Sequence, residues 1–258
     1  MGNWAAGSLV FFVYLALVAD LRRGVGVRAR HVVWAGSALG AAIAVASVRL
    51  PPQGIANTWI LPPALLLIGY WTSGLLFVRP APRAERLLLW LDDRLGVARL
   101  ASAMPQALAE LFELAYAGVY PMIPIALAVT MRTGVAAQRF WAVVLISDYV
   151  CFAALPWIQT RPPRSLIDDP PWRSSWRGVN RRIVEASSVG VNTFPSGHAA
   201  EALVMVLLAK DAPAPVFLAM VVAGLGVSIG AVLGRYHYAA DVCAGWAVAL
   251  VVFGNFRP

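Results

Sequence analysis

Charge is what this sequence has least of. Only 13% of its 258 residues are Asp, Glu, Lys or Arg, about half the share of a soluble domain. That excludes a soluble enzyme and a disordered chain alike. Cysteine is almost missing too, with Cys151 and Cys243 both inside apolar stretches. A disulfide-rich secreted module is thereby excluded, and both thiols read as small buried hydrophobes. Neither a Cys/His cluster nor a carboxylate-dense loop is present, so no metal and no cofactor is expected. No segment repeats at a solenoid period. Residues 1–19 lack a basic leader, so this first apolar run reads as a retained span.

What fills the chain is apolar: 60% hydrophobic residues and a mean hydropathy of +0.69. Residues 1–19, 32–48, 50–78, 114–131 and 212–234 contain no charged side chain. A bilayer core takes about 17–25 apolar residues per helix. The expected fold is an all-α, polytopic membrane helix bundle with spans at 4–20, 32–49, 55–78, 106–131, 138–157, 197–210, 214–234 and 240–255. Between the third and fourth, six leucines from Leu87 to Leu100 alternate with Arg83, Arg86, Asp92, Asp93, Arg94 and Arg99. That mixture predicts an amphipathic interfacial helix over about 84–102.

The net charge of +8 comes almost wholly from Arg, clustered in the short segments between apolar runs. There it serves topology and lipid headgroups, and no nucleic-acid partner is implied. Most of these Arg fall on one side of an eight-span topology. By the positive-inside rule, both termini face outward and the long polar segment 158–196 faces the cytoplasm of a multi-pass cell-membrane protein. A connection that long is usually functional or disordered. It reads here as an active-site loop.

Of the three His, His31 belongs to a basic interfacial cluster with Arg28 and Arg30. The other two lie in polar breaks beside apolar helices. His237-x-x-x-Asp241 sets imidazole and carboxylate one helical turn apart, where Asp241 can fix the tautomer and leave Nε2 as nucleophile or base. Pro195-Ser196-Gly197-His198 opens an apolar helix, whose first amides suit phosphate oxygens. Arg161-Pro162-Pro163-Arg164 supplies two guanidiniums suited to the same group. Ionisable groups at membrane depth are functional by default, and these together form a site for phosphoryl transfer on a lipid.

These residues resemble the type-2 phosphatidic acid phosphatase and haloperoxidase superfamily over roughly residues 120–255. The family's second motif is complete as Pro195-Ser196-Gly197-His198. Its third is present from His237 through Asp241, followed by Val242 and Gly245, and Arg161-Pro162 represents the first. The resemblance implies a six-helix core, residues 55–258, preceded by two added spans in residues 1–54. It implies a lipid phosphatase acting on a phosphatidic acid or prenyl (di)phosphate type of substrate. His237 would become a phosphohistidine, with Asp241 orienting it and His198 serving as acid and base. Arg161, Arg164, Ser196, Gly197 and Arg235 would hold the phosphate oxygens.

Two departures stand out. Ala154 and Ala231 occupy positions where the family usually has a cation, so Arg164 and Arg235 would stand in. The wording around Arg161–Arg164 and Tyr236–Tyr238 is similar to the inositol phosphorylceramide synthase branch. That leaves a second implied activity, passing a phospho-headgroup to an alcohol instead of water. Asp148 and Glu201, and with them Glu110 and Glu113, lie within apolar helices. Asp148, and with it Glu110 and Glu113, is a candidate for a headgroup or acceptor pocket, with a hydrogen bond to a neighbouring helix as the plainer alternative. Glu201, one turn after His198, either joins that pocket beside His198 or faces the interface. A transporter using these acids as an ion path is disfavoured by the ordered His-His-Asp set. Arg173, Arg177, Arg181 and Arg182 read as interfacial charges, and Trp157, Trp172 and Trp176 as aromatic-belt anchors.

Overall fold

The structure, a computed structural model, describes residues 3–256. Arg257 lies outside them. Twelve α-helices make up the described residues: α1 (Asn3–Leu21), α2 (Val27–Ser47), α3 (Leu61–Gly74), α4 (Pro82–Arg94), α5 (Val97–Ser102), α6 (Gln106–Ala117), α7 (Val119–Arg132), α8 (Ala137–Ala154), α9 (Ser175–Ser187), α10 (Gly197–Leu208), α11 (Ala214–Leu233) and α12 (Ala239–Asn255). The protein is a polytopic membrane helix bundle.

Four of these, α1, α2, α8 and α11, are long and apolar enough to cross a bilayer singly. The expected span at 106–131 is instead two helices, α6 and α7, bent by 63°. Pro121 has no N–H to return to the carbonyl of the preceding turn, and Pro124 repeats the defect one turn on, so the helix cannot run straight. The expected interfacial helix is likewise broken in two. Gly96 sits at φ +71, a left-handed backbone that stops α4 and lets α5 start in a new direction. The 158–196 loop also differs from expectation, since it contains α9. Ser174 starts that helix by accepting the Arg177 N–H on its hydroxyl, 3.1 Å.

The centre of the bundle is α8 and α10. Eleven of the thirteen residues from Phe140 to Phe152 are buried on α8, and α10 is buried along most of its length. Around them stand α1, α3, α7, α11 and α12. Outward faces carry Val10, Leu17, Leu218 and Val222, each more than half exposed, a pattern that only a lipid solvent makes inexpensive. Cys151 is buried as expected, whereas Cys243 lies exposed on α12, and both are free.

Chain direction alternates so that the ends of α8 and α11 and the starts of α10 and α12 meet at one end of the bundle. Helix α4 crosses that end and touches α12, while α9 lies on α6. All the polar breaks singled out above therefore gather in one place.

Candidate active site

His237 is held by a chain reversal. Past α11 the backbone turns through Arg235 at φ +62, and the N–H groups of Tyr236 and His237 both donate to the carbonyl of Ala231 at 2.9 Å. This folds the imidazole back over the last turn of α11. The helix α12 starts only at Ala239, so His237 and Asp241 do not share a helical face as the spacing predicts. Asp241 instead reaches backward from the first turn of α12. Its Oδ2 accepts the Tyr238 N–H at 2.9 Å and lies 3.3 Å from His237 Nδ1. Such a contact puts the proton on Nδ1 and leaves Nε2 with its lone pair.

His198 is the second residue of α10. Ser196 caps that helix, its hydroxyl accepting the Ala199 N–H at 3.3 Å. Its own N–H donates to the Asp241 carbonyl at 2.9 Å. A side chain at Gly245 would run into the Ser196 carbonyl, so glycine is what lets α12 close on this turn. The two imidazoles end with ring centroids 5.9 Å apart, tilted by 55°, close enough to reach a single phosphate group. Tyr120 places its hydroxyl 3.4 Å from His198 Nε2, and Tyr116 stacks on Tyr236 at 4.1 Å.

The arginines divide. Arg164 stands in a 3₁₀ turn whose N–H donates to the Arg235 carbonyl at 3.0 Å. Its guanidinium lies over the Tyr236 ring, 5.6 Å from the centroid, and faces the same cavity as His198 and His237. Arg161 is bound elsewhere. Its backbone N–H and its Nε and Nη2 donate to the Glu85 carboxylate of α4 at 2.9, 3.0 and 2.9 Å. That guanidinium holds the Glu85 carboxyl below its usual range. Arg235 is half-buried beside the Asp168–Asp169 side and does not border the cavity, nor does fully buried Ser196, whereas Gly197 does. Arg177, expected at the interface, is buried. It donates to Glu113 at 2.8 Å and to Asp169 at 2.6 Å.

The cavity has a volume of about 440 Å³ and extends from Tyr236 and His237 past His198 to Asp148 and Glu201. These two carboxyls are 2% and 6% exposed. Neither makes a hydrogen bond or ion pair with a described residue, and Asp148 Oδ2 and Glu201 Oε1 are wholly enclosed. The other acids of the apolar helices have structural employment. Glu110 accepts from the Ser174 hydroxyl and the Ser175 N–H at the start of α9. Glu113 accepts from Arg177, Asn180 and the Tyr236 hydroxyl.

Residues that sequence reasoning passed over include Tyr116, Tyr120, Glu85 and Asp92. The tyrosines sit either side of an unforeseen bend. Asp92 Oδ1 accepts the Ala239 N–H at 2.9 Å, which ties the interfacial helix to the start of α12. Burial pushes its carboxyl up to about 6, with nearby Asp241 adding to the shift.

Compared with known families, residues 83–254 match the family described as the PAP2 superfamily. No curated protein and no solved structure matches the chain.

Proposed function

Given that the chain belongs to the PAP2 superfamily, whose activities are of the lipid-phosphate phosphatase type, we propose that it hydrolyses a lipid phosphate through a phosphohistidine at His237. Nε2 of His237 attacks phosphorus, forming an N–P bond as the P–O bond to the lipid breaks. His198 delivers a proton to the departing alkoxide. Water then gives a proton to His198 and attacks phosphorus, the N–P bond breaks, and inorganic phosphate leaves. Asp241 orients His237 and offsets the positive charge the ring acquires. Arg164 and the Gly197 amide stand where charge on the non-bridging oxygens needs neutralising. Arg161 completes the predicted phosphate set only after leaving Glu85, Arg235 only by turning toward a cavity it does not border, and Ser196 serves it by capping α10.

The observation that carries this reading is the 5.9 Å separation of two imidazoles drawn from distant motifs, with Arg164 on the same cavity. It is tested on purified protein offered phosphatidic acid and a prenyl diphosphate labelled in the terminal phosphate. Acid-labile, base-stable label should appear on wild type and on His198→Ala but not on His237→Ala. Full turnover by His237→Ala would end the proposal.

A headgroup phosphotransferase is the second reading, and one feature favours it. A single water needs a share of about 30 Å³, far below the 440 Å³ present, so an alcohol acceptor has room. Product analysis with and without an added polyol separates a new phosphodiester from free phosphate. We assign catalysis to residues 55–258 because α3, through Pro63, Leu66 and Tyr70, walls the cavity. The arginine distribution supports a cytoplasmic site.

A further inference from the structure

One part of the cavity is built for something other than phosphate. Asp148 and Glu201 border it from the two central helices. Gly197 lies so close that a Cβ there would stand 3.0 Å from Asp148 Oδ1. Two carboxyls present acceptors and no cation, so they suit a part of the substrate other than its phosphate. No Lys, Arg or His nitrogen of a described residue lies within 4.0 Å of either. Buried acids without a cation or hydrogen bond are costly, and buried polar groups left unsatisfied call for an explanation.

Hydroxyls and ammonium groups both donate to carboxylates, but they differ in what else they need. A sugar or polyol hydroxyl also accepts, and is usually met by Asn, Gln, Arg or Lys. Here the surroundings are aromatic: Tyr70, Tyr120, Trp141 and Phe152 border the cavity with the acids. Trp141, Asp148 and Phe152 share one face of α8, at spacings of seven and four residues. Two of the nearby donors are already engaged. Trp141 Nε1 donates to the Thr58 carbonyl at 2.7 Å, and the Tyr70 hydroxyl donates to Ser188 at 3.2 Å. Arg164 lies against Tyr236 and forms no ion pair with either acid. A site that offers carboxyl acceptors and ring faces, with no Asn, Gln or Lys among its lining residues and Arg164 as its one arginine, suits a group that only donates and carries positive charge.

We infer that Asp148, Glu201 and the aromatic wall form an ammonium subsite, so that the preferred substrate is a lipid phosphate carrying a protonated amine close to the phosphate. This rests on the reading of His198 and His237 as the phosphate site, which fixes the phosphate end of the cavity. The amine would replace the missing cation of the acid pair, and its CH groups would lie on the rings.

The test uses the full chain in maltoside detergent with two probes of equal length, 2-aminooctadecyl phosphate and 2-hydroxyoctadecyl phosphate. Phosphate release should favour the amine by about tenfold or more in kcat/KM, as expected for one charge-assisted contact in a dry site. In Asp148→Asn and Glu201→Gln, each checked for monodisperse elution, that ratio should fall toward one. A binding arm needs no chemistry: the amino phosphate should raise the Tm of His237→Ala more than the hydroxy phosphate does. Equal hydrolysis of both probes, or equal protection of His237→Ala, overturns the ammonium subsite while leaving the phosphatase reading intact. Amine-selective protection without any hydrolysis sustains the subsite and removes the phosphatase reading.

Discussion

Ser196 donates its backbone N–H to the carbonyl oxygen of Asp241 at 2.9 Å, and by that one bond the turn carrying His198 is fastened to the turn carrying His237. Forty-five residues separate the two in sequence. The approach is close enough that the facing position on α12 has to be glycine.

Gly245→Ala is therefore expected to force α12 away from the Ser196 carbonyl. Overpacking of this kind costs about 1–3 kcal/mol. Activity should fall further than stability, because the displacement separates the imidazoles. Thermal unfolding and turnover measured on the same preparation check this, and unchanged turnover would contradict it.

His237→Ala and His198→Ala should each lower kcat by roughly a thousandfold or more. The double variant should lose little beyond either single one, since groups acting as a unit are not additive. Losses that multiply would indicate two independent roles.

Arg164→Ala should reduce kcat/KM by about a hundredfold through loss of a charge beside the transferred group, with Arg164→Lys recovering part of it. Arg161→Ala should act chiefly on stability, because the Arg161 guanidinium is bound to Glu85. Steady-state kinetics and Tm for the three variants distinguish the two arginines.

The interfacial helix should show two opposed pH dependences. Glu85 ionises more readily in the folded protein than its ordinary 4.5, so its contribution is present above that pH and fades on further acidification. Asp92 ionises less readily, at about 6 against 3.8. Its contribution is complete below 3.8 and is lost as pH rises through about 6. Asp92→Asn, which keeps an acceptor for Ala239, should flatten the decline between pH 4 and 6 and stabilise the protein at neutral pH by about 2 kcal/mol. A Tm series across that range decides it. Destabilisation confined to neutral pH would show that the charged carboxylate is the better cap.

Much of this was legible beforehand, and the exceptions have a common cause. Apolar runs declared a membrane bundle because no other solvent accepts Val222 and Leu218 facing outward. The Pro-Ser-Gly-His and His-x-x-x-Asp spacings marked two turns that prove to be adjacent. What spacing could not show was pairing between distant segments. Arg161 looked like a phosphate ligand, since nothing local reveals that Glu85 lies opposite it. Arg177 looked interfacial for the same reason, its partners Glu113 and Asp169 being brought together only by packing. The bend before Tyr120 was visible in Pro121 and Pro124, yet an uncharged run of that length resembles a straight helix.

Helix α10 has 12 residues and its antiparallel neighbour α11 has 20. At 1.5 Å per residue, the helix bearing His198 is about 12 Å the shorter. The folded-back His237 returns over the last turn of α11, its N–H on the Ala231 carbonyl, to meet it. A bilayer thick enough to match α11 is thicker than α10 can span, so turnover in vesicles of graded acyl length should decline as the hydrocarbon layer grows.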